Sequence, residues 1–150
     1  MKVILSGIIA VFYILQLSTG IVLGDPLNRT QSTIAVPKFL NVTNDASADW
    51  LASGFAETLS TKLAGVGGLQ LVERSRLNEA IKELKLQSTA LVNPSTAKKL
   101  GLFVGAEYVI VGSYQKVGNR IKADARQIEV ETGKVNGAVD VTGSFDSVLD

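Results

Sequence analysis

One short run of the sequence carries the side-chain types of a catalytic turn. It is Glu73–Arg76, read ERSR, which follows the apolar pair Leu71 and Val72 and precedes a run with helical spacing. A serine in such a turn acts as a nucleophile only when a neighbouring base takes its proton. The chain has no histidine, and nothing singles out a lysine for that task. We therefore expect Ser75 to be a helix N-cap, whose hydroxyl accepts from a free amide of the first turn.

The amino-acid composition excludes most other kinds of catalytic site. The chain has no histidine and no cysteine, which excludes thiol nucleophiles, imidazole bases and metal sites built on either residue. Glu57, Glu73, Glu107 and Asp124 are scattered without the spacing of a metal loop or a glycosidase dyad, although a dyad formed in space stays open. The glycines after Ala64 follow a helix and precede a strand, the reverse of a phosphate-binding loop. We therefore predict no catalytic residue, no metal and no cofactor, and we assign no binding residue.

The charge balance argues against a nucleic-acid partner. The net charge is +1 over 150 residues, without a basic run, whereas nucleic-acid binding depends on clustered lysine and arginine. Lys62, Lys98, Lys99 and Arg126 are expected on solvated faces rather than around a ligand. The apolar fraction of 46% is enough for the core of one domain at this length.

The N-terminal residues have the pattern of an export signal. Lys2 precedes an apolar run from Val3 to about Leu23, and small residues follow before Asp25. A charged start, an apolar middle and small residues before a turn are the parts of a secretory signal. Cleavage is expected before Asp25, with a second candidate site after Gly20. The alternative is an uncleaved anchor that contacts the membrane, because about 20 apolar residues can span a bilayer.

The next segments alternate between strand-like and helix-like patterns. STIAVPKFL is rich in β-branched residues and is expected to be a strand, with Pro37 at a strand end or sheet edge. The segment up to Ala64 has apolar residues at four-residue spacing, which predicts a helix capped by Ser47 or Asp49 and stopped by Gly65, Gly67 and Gly68. LQLVE predicts a second strand, and the helix capped by Ser75 follows it.

The second half predicts one more helix and three strands. Asn93 is a good N-cap with Pro94 at the first helical position, and Gly101 is expected to end that helix. Val109–Val111 is apolar on both faces, as in a strand covered on both sides. Gly118 and Asn119 predict a two-residue hairpin turn, and a further turn is expected at Thr132-Gly133. The next strand should bury one face, formed by Ile121, Ala123 and Ala125.

Together these patterns predict an α/β fold in the order β-α-β-α-α-β-β-β. We expect a mixed β-sheet packed with about three helices and ending in an antiparallel meander. The predicted organisation is a signal peptide or membrane anchor over residues 1–24, a linker over residues 25–32 and an α/β domain over residues 33–150.

The segment VERSRLNEAIKELKLQSTALVNPSTAKKLGLFVGAEYVIVGSYQK resembles the core of the curli assembly/transport protein CsgG and its relatives. The similarity covers about residues 33–143, and the fold family also includes the flagellar outer-membrane protein FlgO and the amino-terminal domain of TolB. The resemblance implies a non-enzymatic, exported domain in the periplasm or at the outer membrane. Its implied partners are cell-envelope proteins and further copies of itself. The matching motifs are Val72-Glu73-Arg74, Thr96–Gly101, Gly105–Tyr108 and Gly112-Ser113.

Two differences from the curli channel shape the functional expectation. The channel has a lipidated cysteine after its signal, and this chain has no cysteine. The channel also inserts long membrane-spanning hairpins, one of them where this chain turns at Gly118 and Asn119. We therefore expect an assembly or protein-interaction domain first. The alternatives are a protomer of a curli-type outer-membrane secretion channel and a periplasmic ligand-sensing domain.

Overall fold

Residues 31–148, the part of the chain that the computed structural model describes, contain six strands and three α-helices. The predicted signal or anchor and the start of the predicted linker, residues 1–30, lie outside it. No helix between residues 31 and 148 combines the length and the apolar character needed to cross a membrane. The strands are β1 (Ser32–Ala35), β2 (Leu40–Asn41), β3 (Leu69–Leu71), β4 (Tyr108–Val117), β5 (Arg120–Glu129) and β6 (Val135–Ser144), and the helices are α1 (Leu51–Ala64), α2 (Arg74–Glu83) and α3 (Pro94–Val104).

The strands form one mixed sheet in the order β3-β1-β4-β5-β6. β1 runs parallel to both β3 and β4, and β4, β5 and β6 form an antiparallel meander. The short β2 also pairs with β4, further along the edge that β1 occupies. The strand segment around Pro37 is therefore interrupted, because residues 36–39 leave the ladder between β1 and β2. The predicted mixed sheet with a C-terminal meander is confirmed.

Helices cover both sides of the sheet. In β4, Ile110 belongs to the core that packs against α1, whereas its neighbours Val109 and Val111 belong to the core that packs against α2 and α3. Because successive side chains of a strand point to opposite faces, these two cores are separate layers. The prediction that Val109–Val111 is covered on both faces is therefore confirmed.

Aromatic rings fill the core on the α1 side. The Phe55 ring lies 5.6 Å from that of Phe39 and 5.5 Å from that of Tyr114, measured between centroids. Phe39 comes so close to the sheet that an ideal Cβ on Gly112 would lie 2.1 Å from its Cε1. The buried Tyr114 hydroxyl donates to the Ala48 carbonyl over 2.8 Å. Desolvation, with a smaller contribution from Asp49, raises the pKa of Tyr114 to about 12.

A second close approach, at Gly101, corrects the sequence analysis. Gly101 does not end α3, which continues to Val104 and stops at Gly105 in the left-handed conformation, with φ of 73°. An ideal Cβ on Gly101 would lie 2.3 Å from Val130 Cγ2 and 2.9 Å from Val109 Cγ2. The glycine is therefore needed because the helix backbone lies directly on the sheet.

The start of α3 and the hairpin turns agree with the sequence analysis. Asn93 is the N-cap, and its side chain accepts from the Ser95 amide over 2.9 Å. β4 and β5 are joined by a two-residue turn in which Gly118 has φ of 59°. The predicted inner face of β5 is buried, with Ile121, Ala123 and Ala125 at most 2% exposed.

The predicted caps of the other two helices are wrong. Ser75 is exposed in the first turn of α2, whose N-cap is Glu73 without a side-chain hydrogen bond. The helix starts earlier, at Arg74, whose Nη1 donates to the Val36 carbonyl over 3.0 Å and so ties the first residue of α2 to the segment just after β1. α1 starts after Trp50, also without a side-chain cap. A 3-10 turn over Ala46–Ala48 precedes α1. The N-cap of this turn is Asp45, whose side chain accepts from the Ser47 amide.

We expect Gly101→Ala to destabilise the domain by about 1–3 kcal/mol, because the new methyl group overpacks the contact with Val130. This loss outweighs the gain of about 1 kcal/mol that alanine has over glycine inside a helix. Chemical denaturation measures the change, with Gly67→Ala as the control because nothing lies within 4 Å of a Cβ at that position. Equal or greater stability of Gly101→Ala would contradict the close approach.

Candidate interaction surface

The helices α2 and α3 cover only half of their side of the sheet. Val109 and Val111 in β4 are buried beneath them. Further along the same face of β4, Ser113 is half-buried, and Gln115 and Val117 are exposed. The sequence reflects this change, because serine and glutamine replace valine at positions 113 and 115 of this face, beyond the helices.

The neighbouring strands extend this uncovered area. The register places Asp124, Lys122 and Arg120 of β5 opposite the exposed half of β4, and β6 lies beside them. We call the resulting surface the open sheet face, and within residues 31–148 it has no helix over it. Its residues are Ser113, Gln115, Val117, Arg120, Lys122, Asp124, Ala138, Asp140 and Thr142.

Several charged and polar groups on the open sheet face already have partners. The Ser113 hydroxyl donates to Asp124 Oδ2 over 2.6 Å. Lys122 Nζ lies 3.9 Å from Asp140 Oδ2, and the two side chains are 52% and 71% exposed. A pair this exposed contributes little to stability, so both side chains can turn toward a partner at low cost.

Arg126 marks the border between the covered and uncovered halves. It was expected on a solvated face, but it is half-buried, and its Nη2 donates to the Val92 carbonyl over 2.8 Å. That carbonyl lies in the loop just before α3. The guanidinium therefore ties β5 to the edge of the helical layer.

Apolar side chains lie among these polar ones. Val117, at the end of the β4–β5 hairpin, is 68% exposed, and Val42, just after β2, is 52% exposed. Leu40 pairs with Ser113, and the strand alternation from Leu40 places Val42 on the same side as the open sheet face. Polar groups around exposed apolar side chains are the composition of a typical protein–protein contact.

A compact polar cluster fixes the end of β4 on the opposite side. Lys116 Nζ lies 3.0 Å from Asp45 Oδ2 and donates to Ser47 Oγ over 2.8 Å. The same ammonium lies 4.5 Å from the centre of the Phe145 ring. Hydrogen bonds from the Ser47 side chain, then from Lys116, lower the pKa of Asp45 to about 2. Beside the cluster, the Trp50 ring lies 6.4 Å from Phe145 and is 43% exposed.

The structure brings together acidic residues that the sequence separates. Glu57 and Glu73 line one cleft with Arg74, between α1 and α2. Glu107 and Glu129 line another beside Tyr108, where burial first, and then these two carboxylates, raise the pKa of the tyrosine. Both clefts are shallow, with volumes of about 400 and 360 Å³.

Neither cleft supplies the groups of a metal centre. Across residues 31–148, no group of three or more aspartate, glutamate, histidine or cysteine side chains could hold a metal ion. Asp124, the remaining acidic residue considered from sequence, accepts from Ser113 on the open sheet face. The absence of a cofactor and of catalytic residues therefore stays a prediction.

The family comparison and the structure comparison agree with each other. The model of the family described as "Curli production assembly/transport component CsgG" matches residues 22–122. The structure is similar to the LpoB C-terminal domain from Salmonella enterica, with 26% identity over 89% of this chain and 92% of that one, and a TM-score of 0.66. Lipoprotein GNA1162 from Neisseria meningitidis shares the fold at 19% identity, over 75% of this chain and 80% of that one, with a TM-score of 0.61.

One similar curated protein has the name of an enzyme. The chain is 29% identical over 110 residues to "Putative adenylate cyclase 3" from Rhizobium meliloti (strain 1021). The match covers 72% of this chain but only 17% of that protein. The similarity therefore concerns one part of the larger protein.

The polar cluster predicts a specific response to acid. The Asp45 pKa is lowered from 3.8 to about 2, so its stabilising effect is complete above pH 3.8 and is lost as the pH falls through about 2. We expect wild type to melt above Asp45→Asn at neutral pH, and this difference in Tm to disappear only near pH 2. Ser47→Ala removes the largest cause of the pKa shift. In that background, the Tm difference caused by Asp45→Asn should therefore disappear at a higher pH. A Tm difference that disappears between pH 7 and 5 would contradict this assignment.

Proposed function

Because the chain belongs to the CsgG family, we propose that it is an exported, non-enzymatic domain of the cell envelope that binds other proteins and further copies of itself. Residues 1–24 then act as a signal peptide or membrane anchor, residues 25–32 as a linker and residues 33–150 as the interaction domain. The periplasm or the outer membrane is the proposed location. The match to the family described as an assembly/transport component supports this role, and the similarity to the LpoB domain and to the lipoprotein GNA1162 supports the fold.

The open sheet face is the observation that carries the proposal. The polar side chains on it that form hydrogen bonds or ion pairs bond to each other rather than converging on a point where a small molecule could react. Val42 and Val117 add exposed apolar area beside Lys122 and Asp140. A surface of mixed polar and apolar side chains suits a protein partner, whereas small molecules are usually bound in deeper, mainly apolar pockets.

The two alternatives depend on other parts of the structure. A secretion channel would require the β4–β5 hairpin to enter a membrane, yet Ile121, Ala123 and Ala125 of this hairpin are buried in the core of the domain. A ligand-sensing domain would use the cleft lined by Glu57 and Arg74. We rank both below the interaction domain because neither uses the open sheet face.

Charge reversal on the open sheet face tests the proposal. We expect Lys122→Glu to lose the proteins that the tagged full chain captures from detergent-solubilised cell envelopes. The fold should survive, because the pair that Lys122 makes with Asp140 is exposed and contributes little to stability. Quantitative mass spectrometry of the captured proteins measures the loss, and thermal unfolding checks the fold.

The matched control is Lys82→Glu, which makes the same charge change at an exposed position of α2. It should capture the same proteins as wild type. If Lys122→Glu captures them equally well, or if Lys82→Glu loses them instead, the open sheet face is not the binding surface.

A further inference from the structure

The outer edge of β6 is a long strand edge without a partner in residues 31–148. β6 pairs only with β5 and ends the strand order, over the ten residues Val135–Ser144. A free edge offers a row of N–H and C=O groups to another strand, and proteins commonly block it with charged side chains, proline or a bulge. β6 contains no lysine, arginine or proline, and Asp140 is its one charged residue. Its register shift leaves Asn136 as an extra residue near one end.

Both faces of β6 suit a continued sheet. Val139 and Val141 are half-buried on the α1 side, where they pack against the core. Ala138, Asp140 and Thr142 are exposed on the other side, as part of the open sheet face. An added strand would cover the valines further and would meet a single charged group.

We propose that this edge pairs with the same edge of a second copy, antiparallel about a two-fold axis at Val141. The inference deepens the proposed function and rests on it only in taking the domain to act through protein contacts. An isologous contact of this kind closes on itself, and two copies make one continuous sheet of twice the width.

The position of the axis follows from charge and register. An axis at Asp140 would place this carboxylate directly opposite its own copy, which destabilises an antiparallel pair. An axis at Val139 or earlier would bring the extra residue Asn136 into the ladder, where a bulge disrupts pairing. An axis at Val141 avoids both faults and pairs Ala138–Ser144 of the two copies, whereas an axis at Thr142 or later would pair a shorter segment because β6 ends at Ser144.

The side chains on this register complement each other. Asp140 lies opposite Thr142 of the second copy, whose hydroxyl can donate to the carboxylate, and this contact occurs twice by symmetry. On the α1 side, Val141 meets Val141 of the second copy, and Val139 lies beside Gly143. The side chains of β6 are therefore self-complementary on this register.

A single introduced cysteine reports the register, because the chain has none of its own. In the purified full chain, Val141→Cys should form a disulfide-linked dimer under mild oxidation, since directly opposed Cβ atoms are about 4.5–5.5 Å apart. Ala138→Cys, in the same strand, should form about tenfold less, because its two copies lie about 20 Å apart along the ladder. Non-reducing electrophoresis measures both yields.

A mixture of Ala138→Cys with Ser144→Cys should give mixed dimers, because these positions are opposite each other on the proposed register. Sedimentation of wild type should show a concentration-dependent dimer. A monomer at all concentrations, or equal self-linking of Val141→Cys and Ala138→Cys, would overturn the proposal. The test uses the purified chain alone, so its failure leaves the capture of envelope proteins as a separate result.

Discussion

The contact between the α3 backbone and the sheet at Gly101 determines how the rest of the domain is arranged. An ideal Cβ at this position would lie 2.3 Å from Val130 Cγ2, so the contact leaves no room for a side chain on the helix. The contact fixes the α2–α3 layer over Val109, Val111 and the end of β5. The other half of the same face then has no helical cover in residues 31–148.

This uneven cover divides one side of the sheet into two halves. One half is a core, held by apolar packing and bordered by the Arg126 contact with the Val92 carbonyl. The other half presents charged, hydroxyl and apolar side chains, and beside it the outer edge of β6 pairs with no strand in residues 31–148. Because strands position side chains more firmly than loops do, such a surface suits the binding of protein partners. On the α1 side, the contact of Lys116 with Asp45 fixes the end of β4 that carries Val117.

The sequence predicted the features that depend on neighbouring residues. The cap at Asn93, the turn at Gly118 and the doubly covered run Val109–Val111 all follow from local spacing and are confirmed. The errors have long-range causes. A glycine after a helical run looks like a helix end, and only Val130, distant in sequence, shows that Gly101 is a packing site.

Long-range contacts also explain the other features that the sequence analysis did not predict. The start of α2 depends on the bond from Arg74 to Val36, 38 residues away, and the polar cluster joins Lys116 to Asp45, 71 residues away. The alternation of apolar and polar residues in β5 indicated one solvent-exposed face. The extent of the open sheet face, however, depends on where the helices lie. Three-dimensional placement, rather than residue type, therefore identifies this surface.

The central claim is that partners bind the open sheet face, and site-specific photo-cross-linking in living cells tests it most directly. A photoreactive amino acid replaces Gln115, which is exposed in the middle of that face, or Lys82, which is exposed on α2. The account predicts adducts with envelope proteins from position 115 and none from position 82. Adducts from position 82 with none from position 115 would contradict it.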